Sequence, residues 1–394
     1  MSKDIGQDTK FRREFRKVYY FSKIAGIAPF SNYDRKIDTS SNMRFVWPVM
    51  MFAAMLTGSI YTLIRAFRPK FSAINAFTYM FVLPSNLLSS TVIIFMLNTF
   101  KRNDFMKLMV NVLNLDADVP TPNVQKGTWS FLKKCITYIV ICVHIGFPLL
   151  EIWFWRSQTS IYYEAVIRVS DMFHMLLMLI FNSMTNIIKI KLQNILDKFS
   201  KHSTNQVDDT LKKPLDFARI SIVSISEGIH IKDIRNIRKE CCMAYSLSVE
   251  INSVFGFTML FIIIKNSIYL VYNIYSIYTS LTCSPGKPLC FLYRYALRKS
   301  IAYFWIVHIP LSLFLVTKSC DSVFVKFNSL VDRVQQWLLD DNILRIHDFR
   351  QLRLFANQLQ QNKIEFNAVG INLNLKFFCT FMASVCTYTI VLIQ

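Results

Sequence analysis

Seven stretches of this sequence are long and apolar enough to cross a lipid bilayer as helices. Such a helix needs about 20 mostly apolar residues to span about 30 Å of hydrocarbon. The 394-residue chain is 53% hydrophobic, which is too apolar for an ordinary soluble domain. No alternation typical of a transmembrane β-barrel runs through these stretches. The sequence predicts an all-α membrane protein with seven transmembrane helices, at 43–65, 72–98, 131–155, 163–189, 247–278, 292–318 and 371–393.

Basic residues are distributed unevenly between the two sets of loops. Lys and Arg number 29 in segments 1–42, 99–130, 190–246 and 319–370, and 5 in the intervening loops. Because basic loops stay in the cytoplasm, we expect a cytoplasmic N-terminus and, after seven crossings, an extracellular C-terminus. A G-protein-coupled receptor has the reverse orientation. No signal-peptide core precedes the first span, which is expected to act as its own anchor.

The formal net charge is +20, from 45 basic and 25 acidic residues. Basic cytoplasmic loops lie beside anionic membrane lipid, and this arrangement accounts for the excess. Membrane lipid is therefore an expected partner, and nucleic acid is not.

Two cysteines lie in the loop TSLTCSPGKPLC, which the charge distribution places outside the cell. Disulfides form and persist there, and the Pro-Gly pair between Cys283 and Cys290 permits a tight reversal. The alternatives are a Cys283–Cys290 disulfide and two free thiols. Cys241 and Cys242 are adjacent and have no CxxC partner, so no metal site is predicted.

Two amphipathic stretches follow the sixth span. In 319–340 the apolar residues recur at intervals of three and four, the period of one helix face; they are Val323, Phe327, Leu330, Val334 and Trp337. A second predicted helix, which Asp348 can cap, repeats this spacing with Leu352, Phe355 and Leu359. Each apolar stripe must be buried, either against its own subunit or against other copies of the chain. Spans four to six, if they continue below the membrane, would add cytoplasmic helical extensions to these two helices.

A narrow polar stripe follows one face of the seventh span. Thr380, Ser384, Thr387, Val391 and Gln394 succeed one another at steps of four and three, which places them on one helix face. A lipid-facing surface has no reason to carry hydroxyls, so this polar stripe faces either a neighbouring helix or water. In the first case the hydroxyls bond to the backbone between packed helices. In the second case the stripe lines a pore between several subunits, with Val391 as an apolar constriction and Gln394 at the mouth.

Polar and aromatic residues collect in the outer halves of the spans, where an external ligand would arrive. Aromatic faces with a few placed polar groups are typical of small-molecule pockets. Most Tyr and Trp near span ends belong to the interfacial belt, and intramembrane charges either pair or line a wet cavity. Asp171 and His174, one turn apart, are the best pocket candidates. The predicted ligand-binding set is Tyr79, Glu151, Trp155, Asp171, His174, Asn266, Tyr269, Tyr303 and Trp305.

The sequence does not favour an enzyme or a transporter. It has no HExxH, no GxSxG and no Gly-rich phosphate loop, so we predict no catalytic residues and no cofactor. Transporters more often show internal repeats and matching broken helices, and seven spans with few glycines argue against that class.

The end of the chain resembles a receptor signature. TYTIVLIQ, with Thr387, Tyr388 and Gln394, resembles the C-terminal motif of insect gustatory receptors, which is Thr-Tyr, five hydrophobic residues and Gln-Phe. The final Phe of that motif is absent here, and Thr389 occupies a position that is usually hydrophobic. A gate in this chain would therefore depend on Val391, Tyr388 or Gln394.

Three other segments resemble the same family. FNAVGINLN at 366–374 looks like the Phe-x-Ala-x-Gly segment before the last helix of these receptors and of the related insect odorant receptors. YFSKIAGIAPFS at 20–31 is similar to the stretch before their first span. VEINSVFGFTML at 249–260 resembles their fifth-helix segment. The resemblance therefore touches both ends and the middle of the chain.

The resemblance implies a ligand-gated cation channel of four subunits in the dendritic membrane of taste neurons. Each subunit, in a homotetramer or a heterotetramer with other gustatory receptors, would hold one pocket for a small-molecule tastant. The implied domains are a cytoplasmic segment (1–42), six helices with the pocket (43–318) and their cytoplasmic connection (190–246), a cytoplasmic anchor (319–370) and the pore helix (371–394). We expect a bitter or other plant compound as the ligand, with a fructose-type sugar as the alternative. An odorant receptor and a metabotropic seven-helix receptor are further alternatives.

Overall fold

The described part of the protein is a bundle of helices joined to one small hairpin. The computed structural model describes residues 43–66, 82–117, 161–211, 231–282, 289–339 and 346–394. Its first helices are α1 (Met43–Ala66), α2 (Leu83–Asn98) and α3 (Arg102–Ala117). Three long helices follow, α4 (Ile161–Leu211), α5 (Ile231–Thr282) and α6 (Leu289–Leu339). The last elements are α7 (Ile346–Gln361), β1 (Asn367–Ala368), β2 (Ile371–Asn372) and α8 (Leu375–Ile393).

Four stretches of these helices have the length and apolar character needed to cross a membrane. They are Val166–Phe199, Ile234–Thr279, Ala302–Leu339 and Leu375–Ile393, and they match predicted spans four to seven. Helices α1 and α2 occupy the positions of the first span and of most of the second. The predicted third span, 131–155, lies outside the described residues.

The three long helices extend well beyond a bilayer. Helices α4, α5 and α6 have 51, 52 and 51 residues. At ~1.5 Å per residue each is about 76 Å long, more than twice the ~30 Å of hydrocarbon. The sequence predicted this extension on the cytoplasmic side.

The apolar stripes that follow the sixth span are buried within the protomer. Helix α6 continues through the first stripe without a break, and Val323 has 0% exposure. On α7, Phe355 also has 0% exposure, and its ring stacks on Phe199 of α4 at 6.4 Å. Trp337 contacts Phe199 edge to face at 5.1 Å. These stripes therefore pack on their own subunit, the first of the two alternatives, and contact between copies stays a prediction for the remaining faces.

Helix α7 begins at Ile346, two residues before Asp348. Asp348 therefore lies within the described helix, whereas a cap residue precedes the helix, so the prediction that it caps the helix is wrong.

A short antiparallel hairpin joins α7 to α8. Asn367 pairs with Asn372, and Ala368 pairs with Ile371. The turn between the strands has positive φ at Val369 (52°) and Gly370 (87°). Glycine adopts this conformation readily, whereas a β-branched residue does so rarely. The two strands of this hairpin are the only strands that the described residues show, and the predicted all-α fold class is confirmed.

Candidate ligand pocket and pore helix

A buried ion cluster fastens α4 to α2 and α5. Asp171 on α4 is 2% exposed, and its Oδ1 accepts hydrogen bonds from Lys265 Nζ on α5 at 2.8 Å and from Asn86 Nδ2 on α2 at 2.9 Å. Its Oδ2 accepts from Arg168 Nη1 at 3.1 Å. Arg168 and Asp171 share a helix face because they are three residues apart. Both carboxylate oxygens are engaged, so Asp171 holds two cations inside the bundle.

Hydroxyl groups extend this polar network between α2 and α4. Ser170 Oγ donates to Asn86 Oδ1 at 2.9 Å, and its hydroxyl also contacts Ser90. His174 Nε2 lies 3.0 Å from Ser89 Oγ and 3.2 Å from Ser90 Oγ. The other ring nitrogen of His174, Nδ1, is buried and meets no hydrogen-bond partner in the described part of the chain. That atom can accept from or donate to a ligand.

Aromatic rings border the cluster on the side of α5 and α6. Arg168 Nη1 donates to Tyr269 Oη at 3.4 Å, and the Lys265 ammonium lies 5.3 Å from the centre of the Tyr269 ring. Tyr269 contacts Trp305 edge to face at 5.5 Å, and Trp305 contacts His308 in the same way at 5.5 Å. Cations beside aromatic faces are stabilised by the ring quadrupole. The cluster and the rings therefore form one continuous buried network of polar and aromatic groups.

The structure brings four of the predicted ligand residues into this network. Asp171, His174, Tyr269 and Trp305 belong to the connected network described above. Asn266 is 5% exposed and adjoins Lys265. Tyr303 is 51% exposed on the surface of α6. The remaining predicted ligand residues, Tyr79, Glu151 and Trp155, lie outside the described residues. The predicted disulfide is also untested, because Cys283 lies outside the described residues and the side chain of Cys290 is not described.

Sequence reasoning did not assign Asn86, Ser89, Ser90 or Ser170 to this site. Hydroxyl and amide residues are common in apolar helices, so the individual residue types carry no signal. Lys265 and Arg168 are charges within predicted spans to which sequence reasoning gave no role. Because a buried charge needs a partner, Asp171, one turn after Arg168 and on a different span from Lys265, was the signal that could have paired them.

Helix α8 buries one side only. It packs on α5 and α6 through Phe381, Val385 and Thr389, which are 7%, 3% and 6% exposed. Phe378 of α8 contacts Phe314 of α6 edge to face at 5.4 Å. Only 17% of the apolar stretch of α8 is buried, whereas 44–56% is buried in each of the other three membrane-length stretches. Most of α8 is thus uncovered in the single subunit.

The polar stripe lies on the uncovered side of α8. All five of its residues are exposed; they are Thr380, Ser384, Thr387, Val391 and Gln394. Three hydroxyls donate to the backbone one turn earlier, at 3.1 Å for Thr380, 3.0 Å for Ser384 and 3.0 Å for Thr387. A hydroxyl bonded in this way keeps lone pairs that can accept from water. Tyr388 of the terminal motif is 67% exposed beside the stripe.

The structure is that of a helical membrane protein. It combines long apolar helices, a buried network of polar and aromatic groups, and one mostly uncovered helix that carries a polar stripe. The chain belongs to the 7tm chemosensory receptor family, whose model matches residues 15–394. The predicted membership of the insect chemoreceptor superfamily is confirmed, and this is a family of receptors, not of enzymes.

Solved structures of an insect receptor share the fold. The insect olfactory receptor OR5 from Machilis hrabei is similar to this chain with a TM-score of 0.61 and 14% identity over 97% of this chain and 98% of that one. The same receptor in complex with eugenol gives a TM-score of 0.61 and 13% identity over 98% of both chains. No curated protein matches this sequence. The fold is therefore that of an insect seven-helix olfactory receptor and differs from that of a G-protein-coupled receptor.

Proposed function

We propose that this protein is a gustatory receptor that acts as a ligand-gated, non-selective cation channel opened by a small-molecule tastant. The observation that carries the proposal is the polar stripe on the uncovered side of α8. Hydroxyls facing lipid would be unfavourable, whereas copies of the stripe around an axis would line a path for water and cations. The TYTIVLIQ ending supports taste in preference to smell.

The proposed channel is a homotetramer or a heterotetramer with other gustatory receptors, because one stripe cannot surround a conduit. Exposed apolar residues on the cytoplasmic parts of α6 and α7 support contacts between copies. Phe324 and Val325 are 41% and 52% exposed, and Phe349 and Leu354 are 41% and 42% exposed. Such residues in water favour association. The proposed location is the dendritic membrane of taste neurons.

The proposed ligand is a bitter or other plant compound that combines an apolar body with hydrogen-bonding groups. Tyr269 and Trp305 offer aromatic faces, while His174 Nδ1 and the Asn266 amide offer polar atoms. Asp171 has both oxygens engaged, so we assign it to holding the network together. OR5 was solved in complex with eugenol, which supports a small organic ligand for this fold.

A fructose-type sugar is the second candidate, because hydroxyl-rich ligands also need amide, imidazole and aromatic groups. An odorant receptor is a further alternative, supported by the similarity to OR5. A screen of calcium entry in cells expressing this chain, with sugars, polyols, plant alkaloids and phenols, separates these classes. Agonist-evoked current in excised patches without G-protein coupling supports the channel, and a response that requires G proteins contradicts it.

Replacing Asn266 with Ala should raise the agonist concentration for half-maximal current by about fivefold, since one hydrogen bond contributes ~1 kcal/mol. Maximal current should change little, because the substitution removes a ligand contact and leaves the pore intact. Dose–response curves measure both quantities. The matched control is Asn273→Ala on the same helix, whose amide is 4% exposed and already donates to the Tyr269 carbonyl at 2.7 Å. Equal potency shifts in the two variants would argue against a ligand contact at Asn266.

Replacing Gln394 with Leu should alter unitary conductance or resting leak and leave surface expression intact. The amide is exposed at the end of the stripe, where it would face permeating ions. Single-channel recording with surface biotinylation checks both parts. Unchanged conductance and leak would place Gln394 away from the permeation path.

A further inference from the structure

The hairpin before α8 is seated on α5 by one asparagine. Asn252 Nδ2 donates to the Glu365 carbonyl at 2.7 Å, and Asn252 Oδ1 accepts from the Asn367 amide at 3.1 Å. These two backbone groups belong to residues two apart in an extended chain, so they point to the same side. The side-chain amide thus takes the place of a neighbouring strand along this edge.

A glycine on α5 lets the hairpin approach the helix backbone. Gly256 lies one turn after Asn252, on the same helix face. A Cβ added at Gly256 would lie 3.1 Å from the Asn367 carbonyl oxygen and 3.7 Å from the Val369 amide nitrogen. The first distance is tighter than ordinary contact with a backbone atom, so any side chain here would push the hairpin away.

The same hairpin forms the base of the pore helix. The Leu373 amide donates to the Phe366 carbonyl at 2.8 Å, which closes the hairpin on the side away from Asn252. The next residue, Asn374, is the N-cap of α8, and its Oδ1 accepts from the Phe377 amide at 2.8 Å. Phe366 is 4% exposed and contacts Phe181 of α4 edge to face at 5.9 Å. A displacement of the hairpin therefore displaces the first turn of α8.

Helix α5 also reaches the buried ion cluster. Lys265, which binds Asp171, lies nine residues after Gly256, or about 14 Å along the helix. Helix α5 thus contributes to the proposed ligand site and also contacts the hairpin that supports the pore helix.

We propose that Asn252 and Gly256 form a seat that positions the base of α8 and transmits displacements of α5 to the pore. This inference rests on the proposed channel function. The seat links α5 to the base of α8 without itself contacting the ligand or the permeating ions. Loosening it uncouples the pore helix from α5.

The test compares Asn252→Ala and Gly256→Ala with Ser253→Ala. Ser253 is the matched control because it is exposed on the same turn and accepts from Lys101 Nζ at 3.1 Å, away from the hairpin. We expect each seat variant to change the ratio of resting to agonist-evoked current by about fivefold or more, at equal surface protein. Asn252→Ala loses two hydrogen bonds to the hairpin, and Gly256→Ala adds a Cβ that presses on the Asn367 carbonyl oxygen. Ser253→Ala should keep the wild-type ratio. Seat variants that behave like Ser253→Ala would overturn the proposal.

A second readout does not depend on conduction. Cys379 is exposed on α8, five residues after the N-cap, and its rate of modification by a permeant thiol reagent reports the position of the helix base. We expect this rate, followed by peptide mass spectrometry, to change about twofold or more in Asn252→Ala and to stay unchanged in Ser253→Ala. If the wild-type chain carries no current, the proposed function fails and this rate alone decides the seat. An unchanged rate in Asn252→Ala would then overturn it.

Discussion

Replacing Asp171 with Ala should keep most of the receptor from reaching the cell surface. The substitution leaves the Lys265 ammonium and the Arg168 guanidinium, 4% and 7% exposed, without the carboxylate that now binds both. Removing one partner of a buried ion pair costs ~3–5 kcal/mol. That is a large part of the ~5–15 kcal/mol that stabilises a typical folded protein. Surface biotinylation should show a drop of roughly tenfold or more.

Two control variants show whether the loss of surface protein is specific to the ion cluster or follows from any substitution in α4. Asp197→Ala removes an exposed carboxylate of the same helix that accepts from Gln193 at 2.7 Å, and it should change surface protein little. Asp171→Asn combined with Lys265→Met and Arg168→Met removes the carboxylate and both cations that it binds, and should recover much of the lost protein, because no buried charge is then left without its partner. Wild-type surface levels in Asp171→Ala, with only agonist potency reduced, would show that Asp171 contacts the ligand.

Replacing Thr387 with Lys should abolish the cation current. In a tetramer the substitution places four positive charges around the axis, at the middle of the stripe. Each would repel a permeating monovalent cation ~5 Å away by about 3 kcal/mol at an effective dielectric constant of 20. Current per surface receptor should therefore fall by roughly 100-fold or more. Surface levels should stay normal, because Thr387 is exposed in the protomer.

Thr387→Val and Thr389→Val are the matched controls for this prediction. Both threonines donate to the carbonyl four residues earlier, at 3.0 Å and 2.8 Å, but Thr389 lies on the buried side with 6% exposure. Each valine keeps the shape of the side chain and adds no charge, so both variants should conduct. A Thr387→Lys receptor that conducts like the wild type would remove the stripe from the permeation path.

Helices and their apolar faces could be predicted from the sequence because both depend on local periodicity. The stripes through Val323 and Phe355 and the polar stripe of α8 all follow the 3.6-residue period of a helix. Contacts between helices have no such period. Asp171 and Lys265 are 94 residues apart, and nothing in the spacing along the chain indicates that they meet. The candidate site was therefore only partly predictable. Four of its residues on α4, α5 and α6 were proposed, whereas its serines, its two cations and its partners on α2 were not.

The hairpin shows a second limit of the sequence pattern. Its strands have two residues each, too short for an alternating pattern to appear. The segments FNAVGINLN and VEINSVFGFTML were recognised as separate family features. In the structure they contact each other through Asn252 and Gly256, because a polar side chain and a missing side chain on α5 match the backbone of the hairpin.

Cysteine accessibility tests most directly whether the polar stripe of α8 lines the path of the ions. The background is a receptor in which the two exposed cysteines of α8, Cys379 and Cys386, are replaced by Ser. A charged, membrane-impermeant thiol reagent is applied during agonist-evoked current to receptors carrying Thr387→Cys or Thr389→Cys. We predict that the reagent irreversibly blocks the current of Thr387→Cys and leaves the current of Thr389→Cys unchanged. An unblocked current in Thr387→Cys, or equal block in the two variants, would contradict it.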